Sequence, residues 1–163
     1  MSKKKIKVGY IGRNTHQIRE DLLKVYQHHD GYELIDFLGI SASKKDNKLF
    51  KKLTSQSIFT LCPRGYGPTS FRLYESINLG SIPIYISDDF ILPFQDKIEW
   101  DKLAVLIKHE DIGSLHEKVE KILNNNIHIE MLNYGKECND KYFNMEFTSR
   151  YIFEQVQSFR TSG

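Results

Sequence analysis

Five short apolar runs alternate with stretches of helical periodicity, and this alternation limits the fold more than any other feature of the chain. The runs cover residues 6–12, 32–37, 57–61, 82–86 and 103–107. Helical stretches separate the first four runs and follow the fifth, and two further helices are predicted at about 127–143 and 145–159. The pattern predicts an α/β fold, a single Rossmann-like, doubly wound domain over residues 1–163 with a parallel sheet of about five strands.

Composition limits the partners and the location. The 163 residues are 40% hydrophobic and 27% charged, and their net charge is only +2, so no nucleic acid partner is expected. No apolar stretch is long enough for a membrane span, and the lysine-rich start is not followed by a signal-peptide core. Cys62 and Cys138 are too few for a disulfide framework and are expected to be free thiols. We therefore expect a cytoplasmic protein.

The segment FTLCPRGYGPTSFRLYESINLG, residues 59–80, predicts a strand, a tight loop and a helix. Thr69 and Ser70 open the helix, and Gly80 ends it. Such a junction presents unpaired N–H groups and the positive end of a helix dipole, which together bind anions such as diphosphates. Because Arg64 and Arg72 flank the loop, we predict an anion site at this corner.

A helical projection divides the side chains of this helix between two faces. The stripe predicted to be buried contains Ser70, Leu73, Tyr74 and Ile77. Arg72 and Glu75 lie on the other side and are expected to face away from the buried seam. The pair can be a surface ion pair, or it can face a ligand, and the adjacent loop favours a ligand.

Other polar side chains are predicted at the same edge of the sheet. Arg13, Asn14 and His16 follow the first strand, and His109 follows the fifth, although each histidine is expected to be structural or exposed. The first turn has only Gly9 and Gly12 and lacks a full GxGxxG, which argues against a dinucleotide enzyme.

Two acidic residues and an aromatic segment follow the fourth strand. Asp88 and Asp89 lack the intervening residue of a DxD metal motif, so a turn cap or a contact to sugar hydroxyls is favoured over a metal site. The segment 90–100 is aromatic and irregular. Phe94 and Trp100 could stack on a base or a sugar, but packing onto the sheet explains them more simply.

Four linked blocks resemble the carboxyl-terminal signature of the exostosin-type glycosyltransferases. They are FTLCPRG from Phe59, SFRLYES from Ser70, LGSIPIYISDD from Leu79, and LPF followed by IEW from Leu92. The resemblance is most specific over about residues 57–124 and implies the nucleotide-sugar-binding half of a GT-B glycosyltransferase, in which two Rossmann-like domains face a cleft. It further implies a nucleotide-sugar donor, expected to be a UDP-sugar, and inverting transfer to a glycan acceptor.

The resemblance also assigns roles to residues of this chain. Arg64 and Arg72 would neutralise the diphosphate, and Glu75 would hydrogen-bond the ribose. The amides around the loop would cradle the phosphates, and the residues concerned are Gly65, Gly67, Thr69 and Ser70. Further donor or acceptor contacts are expected from Arg13, Asn14, Asp88 and Asp89. No metal and no cofactor is implied, since arginines and a helix N-terminus can stabilise a departing nucleoside diphosphate.

The family's amino-terminal domain, which would supply acceptor contacts and a catalytic base, has no counterpart in residues 1–56 ahead of the signature. No catalytic residue is therefore predicted. Three interpretations remain open at this point. The chain is a fragment of a longer glycosyltransferase, a half enzyme that depends on a partner chain, or a non-catalytic nucleotide or nucleotide-sugar binding module.

Overall fold

A five-stranded parallel sheet forms the centre of the protein. The computed structural model describes residues 4–13, 15–36, 44–65, 67 and 70–161. The strands are β1 (Ile6–Gly12), β2 (Tyr32–Asp36), β3 (Ser57–Pro63), β4 (Ile82–Ile86) and β5 (Val105–Ile107). All neighbouring pairs are parallel, and the order across the sheet is β2-β1-β3-β4-β5. The predicted α/β fold with about five parallel strands is confirmed.

Helices connect the strands and continue beyond the sheet. They are α1 (Gln17–Tyr26), α2 (Lys44–Gln56), α3 (Phe71–Asn78), α4 (Trp100–Leu103), α5 (Leu115–Asn124), α6 (Ile127–Tyr142) and α7 (Met145–Thr161), with a 3₁₀ helix at His109–Ser114. The four-residue α4 was not predicted, because so short a helix shows no periodicity. Among the described residues, no helix has the length and apolar character needed to cross a bilayer.

The helices pack on both faces of the sheet, as the alternating side chains of its strands require. In β4, Ile84 belongs to a core cluster shared with α1 and α5, whereas Tyr85 belongs to a cluster shared with α3, α4 and α6. A third, smaller cluster joins Leu53 of α2 to Ile6 and Ile11 of β1. Every residue of β4 is buried, which is typical of a strand covered on both faces.

The aromatic segment after β4 packs against the carboxyl-terminal helices. Trp100 is buried, and its indole N–H donates to the Pro93 carbonyl at 2.8 Å. The ring of Phe94 makes edge contacts with Phe147 and Tyr151 of α7, with centroids 5.3 and 4.9 Å apart. The interpretation of Phe94 and Trp100 as packing residues is confirmed.

The strand order creates a crevice at the carboxyl edge of the sheet. The chain passes from β1 outward to β2, and then returns to the other side of β1 to form β3. The connections after β1 and β3 therefore diverge, and ligands of doubly wound proteins bind at such a switch point. Because β1 ends at Gly12 and β3 at Pro63 on neighbouring strands, the two corners that follow them lie side by side.

Candidate functional site

A cavity of about 610 Å³ opens at the switch point between β1 and β3, and we call it the first cavity. Its lining comes from the corner after β1, from α1 and α2, and from the loop and first turns at α3. The predicted site residues among its lining are Arg13, Gly65, Gly67, Ser70, Arg72 and Glu75. The sequence therefore located the cavity and a large part of its lining.

Arg72 reaches back over the end of β1 and forms part of the cavity wall. Its Nη1 donates a hydrogen bond to the Ile11 carbonyl. The guanidinium also lies over the rings of Tyr10 and Phe50, at 5.4 and 5.5 Å from their centroids. Arg72 lies away from the buried stripe of Leu73 and Ile77, as predicted, but its long side chain bends towards β1 and is only partly exposed. Burial lowers the pKa of Arg72, but a guanidinium remains a cation at neutral pH.

Gly12 allows this close approach. A Cβ atom at Gly12 would lie 2.6 Å from the Tyr10 hydroxyl and 3.0 Å from Arg72 Nη2. Both distances are too short for ordinary packing, so a side chain here would displace the guanidinium or the phenol. The turn after β1 thus contributes to the site although it lacks the dinucleotide fingerprint.

Arg19 ties the two corners together and was missed by the sequence analysis. Its Nη1 donates to the Arg13 carbonyl at 2.9 Å, and its Nε donates to the Arg64 carbonyl at 3.2 Å. A Cβ atom at Gly65 would lie 3.0 Å from Arg19 Nη2, so the arginine also packs against this loop. One signal was available, since Arg19 lies in the first turn of the helix that begins at the carboxyl edge.

The amino end of α3 faces the first cavity. Ser70 is the N-cap residue and is buried, but its hydroxyl makes no capping hydrogen bond. First-turn amides of a helix without a side-chain cap can donate to an anion. Glu75 is exposed one turn further along the cavity wall, and Phe71 stands 86% exposed at the mouth.

Arg64 points to a different place. Its Nη1 forms an ion pair with Asp88 Oδ2 at 3.0 Å, and its side chain is not part of the first cavity. The backbone of Arg64 is fixed on both sides, since its N–H donates to the Ile86 carbonyl at 2.9 Å and its carbonyl accepts from Arg19. The structure thus brings Arg72 and Glu75 together and places Arg64 beside Asp88. A role for Arg64 on a diphosphate stays a prediction.

Two side chains that resemble catalytic groups have structural partners. His16 is the N-cap of α1, where its Nδ1 accepts from the Ile18 amide at 3.3 Å. Cys62 is fully buried, with its sulfur 3.4 Å from the Ser76 hydroxyl. Burial raises the pKa of Cys62 to about 12, which keeps the thiol protonated. The packing role inferred for Cys62 agrees with this geometry.

The remaining predicted residues divide between the described and undescribed parts of the chain. Asn14 and Thr69 lie outside the described residues. Asp89 is exposed beyond the end of β4. Over the ranges that the structure describes, no three His, Cys, Asp or Glu side chains are grouped as a metal ion would need.

Two of the arginines that line the first cavity, Arg19 and Arg72, are held by neutral backbone groups. Arg72 and Arg19 donate to backbone carbonyls, and neither forms an ion pair with a described carboxylate. Carbonyl oxygens carry only partial charge, so both cations keep their attraction for an anion. The cavity combines these cations with helix amides and with the Glu75 carboxylate, which can accept hydrogen bonds from hydroxyl groups.

The sequence is similar to those of a known protein family and of several plant proteins. The Exostosin GT47 domain matches residues 6–122. Probable glucuronosyltransferase 47 A of Physcomitrium patens is 40% identical over 98 residues, which are 54% of this chain and 21% of the relative. A probable glucuronosyltransferase of Oryza sativa subsp. japonica is 47% identical over 60 residues, or 37% of this chain and 14% of the relative.

The name of another relative refers to a different sugar, xylose. Probable beta-1,4-xylosyltransferase IRX10 of Arabidopsis thaliana is 43% identical over 60 residues, which are 37% of this chain and 15% of the relative. The matches thus span about a seventh to a fifth of these relatives' lengths. The family match covers all five strands and the lining of the first cavity. Because it spans more than half of the sequence, the chain belongs to the exostosin GT47 family.

Proposed function

We propose that this chain forms the donor-binding half of a glycosyltransferase and binds a nucleotide-sugar, specifically a UDP-sugar. The single observation that carries the proposal is the first cavity, where the guanidinium groups of Arg19 and Arg72, which form no ion pair with a carboxylate of the described residues, meet the amino end of α3. Family membership supports the reaction class. The names of relatives offer glucuronosyl and xylosyl groups as candidates for the transferred sugar.

The diphosphate is assigned to the wall formed by Arg72 and the first turn of α3. When a nucleoside diphosphate departs from the sugar, negative charge develops on its terminal phosphate. Arg72 is already fixed by Tyr10, Phe50 and the Ile11 carbonyl, so little reorganisation is needed at that moment. A fixed cation that interacts more strongly with the departing group than with the intact donor lowers the barrier to transfer.

The ribose is assigned to Glu75, whose carboxylate can accept from two neighbouring hydroxyl groups. Glu75 is exposed on the wall of the first cavity, one turn of α3 beyond Arg72. We assign inverting displacement to the transfer, with acceptor contacts and the catalytic base supplied by a second domain or a partner chain. Arg64, Asp88 and Asp89 would then lie on the sugar side of the diphosphate.

A binding module without turnover is the alternative. It is favoured by the roles assigned to the residues that line the first cavity. Arg72 is assigned to the diphosphate and Glu75 to the ribose, and both roles concern binding. Assays of donor hydrolysis and of transfer to glycan acceptors separate the two functions. Nucleotide binding without turnover, with the second domain or partner also present, would support the module.

The proposal is tested by isothermal titration of the protein with UDP and with inorganic pyrophosphate. UDP should bind, and Glu75→Ala should weaken UDP by about 10-fold or more, because a hydrogen bond to a charged group contributes about 1.5–3 kcal/mol. Pyrophosphate has no ribose, so the same substitution should not weaken its binding.

Glu117→Ala is the matched control, since Glu117 is also an exposed glutamate on a helix and lies outside the first cavity. It should leave the affinity for UDP unchanged. Failure of the unmodified protein to bind UDP or any other nucleoside diphosphate would refute the proposed function.

A further inference from the structure

A second cavity, of about 300 Å³, opens at the same edge of the sheet beyond the ends of β4 and β5. Its lining consists of Asp88, Lys108, His109 and Glu110. All four side chains are polar or charged, and none of them lines the first cavity. Of these four residues, only Asp88 has a place in the proposed function, on the sugar side of the diphosphate.

Each basic side chain at the second cavity has an acidic partner. Arg64 Nη1 lies 3.0 Å from Asp88 Oδ2, and Lys108 Nζ lies 3.8 Å from Glu110 Oε1. His109 Nε2 lies 2.9 Å from Asp21 Oδ2. Lys108 and the neighbouring Arg64 are therefore paired with carboxylates, whereas Arg19 and Arg72 at the first cavity are held by backbone carbonyls.

His109 is held in place by the contact to Asp21. The other oxygen of Asp21 accepts from the Gln17 amide at 2.9 Å, which fixes the carboxylate in turn. The second ring nitrogen of His109 lies 3.8 Å from Asp88 Oδ1, too far for a direct hydrogen bond. A hydroxyl group between them could contact both residues, because a hydroxyl donates and accepts.

Arg64 lines neither cavity but contacts one lining residue of each. Its carbonyl accepts from Arg19 beside the first cavity, and its side chain pairs with Asp88 at the second. The strands that end there, β3 and β4, are neighbours, and adjacent strands lie only about 4.8 Å apart. A group attached to a diphosphate in the first cavity is thus within reach of the second.

We propose that the second cavity holds the sugar of the nucleotide-sugar, that it selects a neutral sugar over a uronic acid, and that His109 determines this specificity. The inference rests on the proposed function and names its substrate class. Sugar hydroxyls can bridge the existing ion pairs without breaking them. A uronic acid carboxylate would instead face Asp88 and Glu110, and would have to compete with them for cations that are already paired.

The test compares UDP, UDP-xylose and UDP-glucuronic acid by isothermal titration. The two sugars differ only at C5, which carries a carboxylate in glucuronic acid and a hydrogen in xylose. UDP-xylose should bind at least several-fold more tightly than UDP, and UDP-glucuronic acid should bind no more tightly than UDP. His109→Gln should abolish the advantage of UDP-xylose and leave the affinity for UDP unchanged.

Two control variants separate specificity from a general structural effect. His28→Gln alters an exposed histidine outside both cavities and should change none of the three affinities. Asp21→Asn should reduce the advantage of UDP-xylose over UDP without weakening UDP, since Asp21 acts only by positioning His109.

Removing one carboxylate provides a further test, in which the affinity for the uronic acid donor should rise. Asp88→Asn leaves the charge of Arg64 unpaired, so the affinity for UDP-glucuronic acid should rise relative to UDP-xylose. Asp30→Asn removes the same charge from an exposed residue that precedes β2 and should not alter this ratio.

The possible outcomes distinguish the two proposals. If UDP does not bind, the proposed function fails and this inference fails with it. If UDP binds but UDP-xylose binds no better, or UDP-glucuronic acid binds better, the inference alone is overturned. It is also overturned if His109→Gln weakens UDP and UDP-xylose equally or weakens neither.

Discussion

The two cavities at the carboxyl edge of the sheet use the same kinds of charged side chain and differ in how the charges are paired. In the first, Arg72 and Arg19 are held by carbonyl oxygens and stacked rings. In the second, Arg64, like each other basic group there, has a carboxylate partner. The number of arginines near a site therefore says less about its ligand than the partners that fix them.

This difference suggests that the two cavities bind different parts of one donor, the diphosphate in the first and the sugar in the second. A cation without a carboxylate partner attracts a diphosphate. Cations that are paired with carboxylates attract an anion less, but the paired groups can still donate and accept hydrogen bonds. Arg64 connects the two environments, because its carbonyl accepts from Arg19 of the first cavity and its side chain pairs with Asp88 of the second. Four substitutions test whether this division is real.

The largest effect is expected from Gly12→Val, which should abolish detectable UDP binding. The new side chain would occupy space now taken by the Tyr10 hydroxyl and Arg72 Nη2, and overpacking of this kind costs about 1–3 kcal/mol of stability. Titration calorimetry and thermal unfolding measure the two effects. Gly113→Ala is the control, since its Cβ would meet nothing within 4 Å. A folded Gly12→Val protein that binds UDP normally would show that the first cavity does not hold the nucleotide.

Arg72→Ala should lower the affinities for UDP and for pyrophosphate alike, by about 10- to 100-fold, because it removes the cation that has no carboxylate partner. Arg72→Lys should recover only part of this loss, since an ammonium lacks the planar fork of donors. Arg150→Ala removes the same charge from an exposed site on α7 and should have little effect. Equal losses in the Arg72 and Arg150 variants would mean that overall charge, not the cavity, attracts the anion.

Arg64→Ala should weaken UDP by only a few-fold, less than Arg72→Ala, because its guanidinium is already paired with Asp88. The same titrations provide the measurement. If both variants lose equal affinity, Arg64 must leave Asp88 when the diphosphate binds. The contrast between the two cavities would then hold only for the unbound protein.

The smallest effect concerns acid stability. Hydrogen bonds from Gln17 and His109 lower the pKa of Asp21 below its usual 3.8. A carboxyl group whose pKa is lowered in the folded state stabilises the fold above the unfolded-state pKa, and this contribution is lost as the pH falls through the folded-state value. The melting temperature of Asp21→Asn should therefore be lower than that of the parent protein at pH 5–7, and the gap should shrink below about pH 4. A gap that stays constant between pH 3 and pH 7 would show that the ionised carboxylate of Asp21 does not contribute to stability.

Much of the fold could be predicted because its signals are local. The buried strands are short apolar runs, and the helices between them show regular spacing. The location of the first cavity followed from chain connectivity, since the carboxyl ends of parallel strands share one edge. Glu75 and the loop glycines Gly65 and Gly67 could be placed there for the same reason.

The directions of the arginine side chains could not be predicted, because they depend on residues far away in the sequence. Arg64 pairs with Asp88, which follows the next strand, and Arg19 reaches carbonyls of a loop 44 and 45 residues later. The helical projection placed Arg72 off the buried stripe correctly, but it describes only the direction of the Cβ atom and could not show where the long side chain ends. The hydrogen bond from Arg72 to Ile11 requires the β1–β3 neighbourhood that only the folded sheet supplies.

The hydrogen bonds of Arg19 have a kinetic consequence. Because this one side chain holds the backbone of Arg13 and of Arg64, the entropy of ordering these two residues is lost during folding and not when a ligand arrives. Association should then need no slow rearrangement of these two residues. Related ligands should enter at similar rates, and the differences in their affinities should lie mainly in how long each one stays bound.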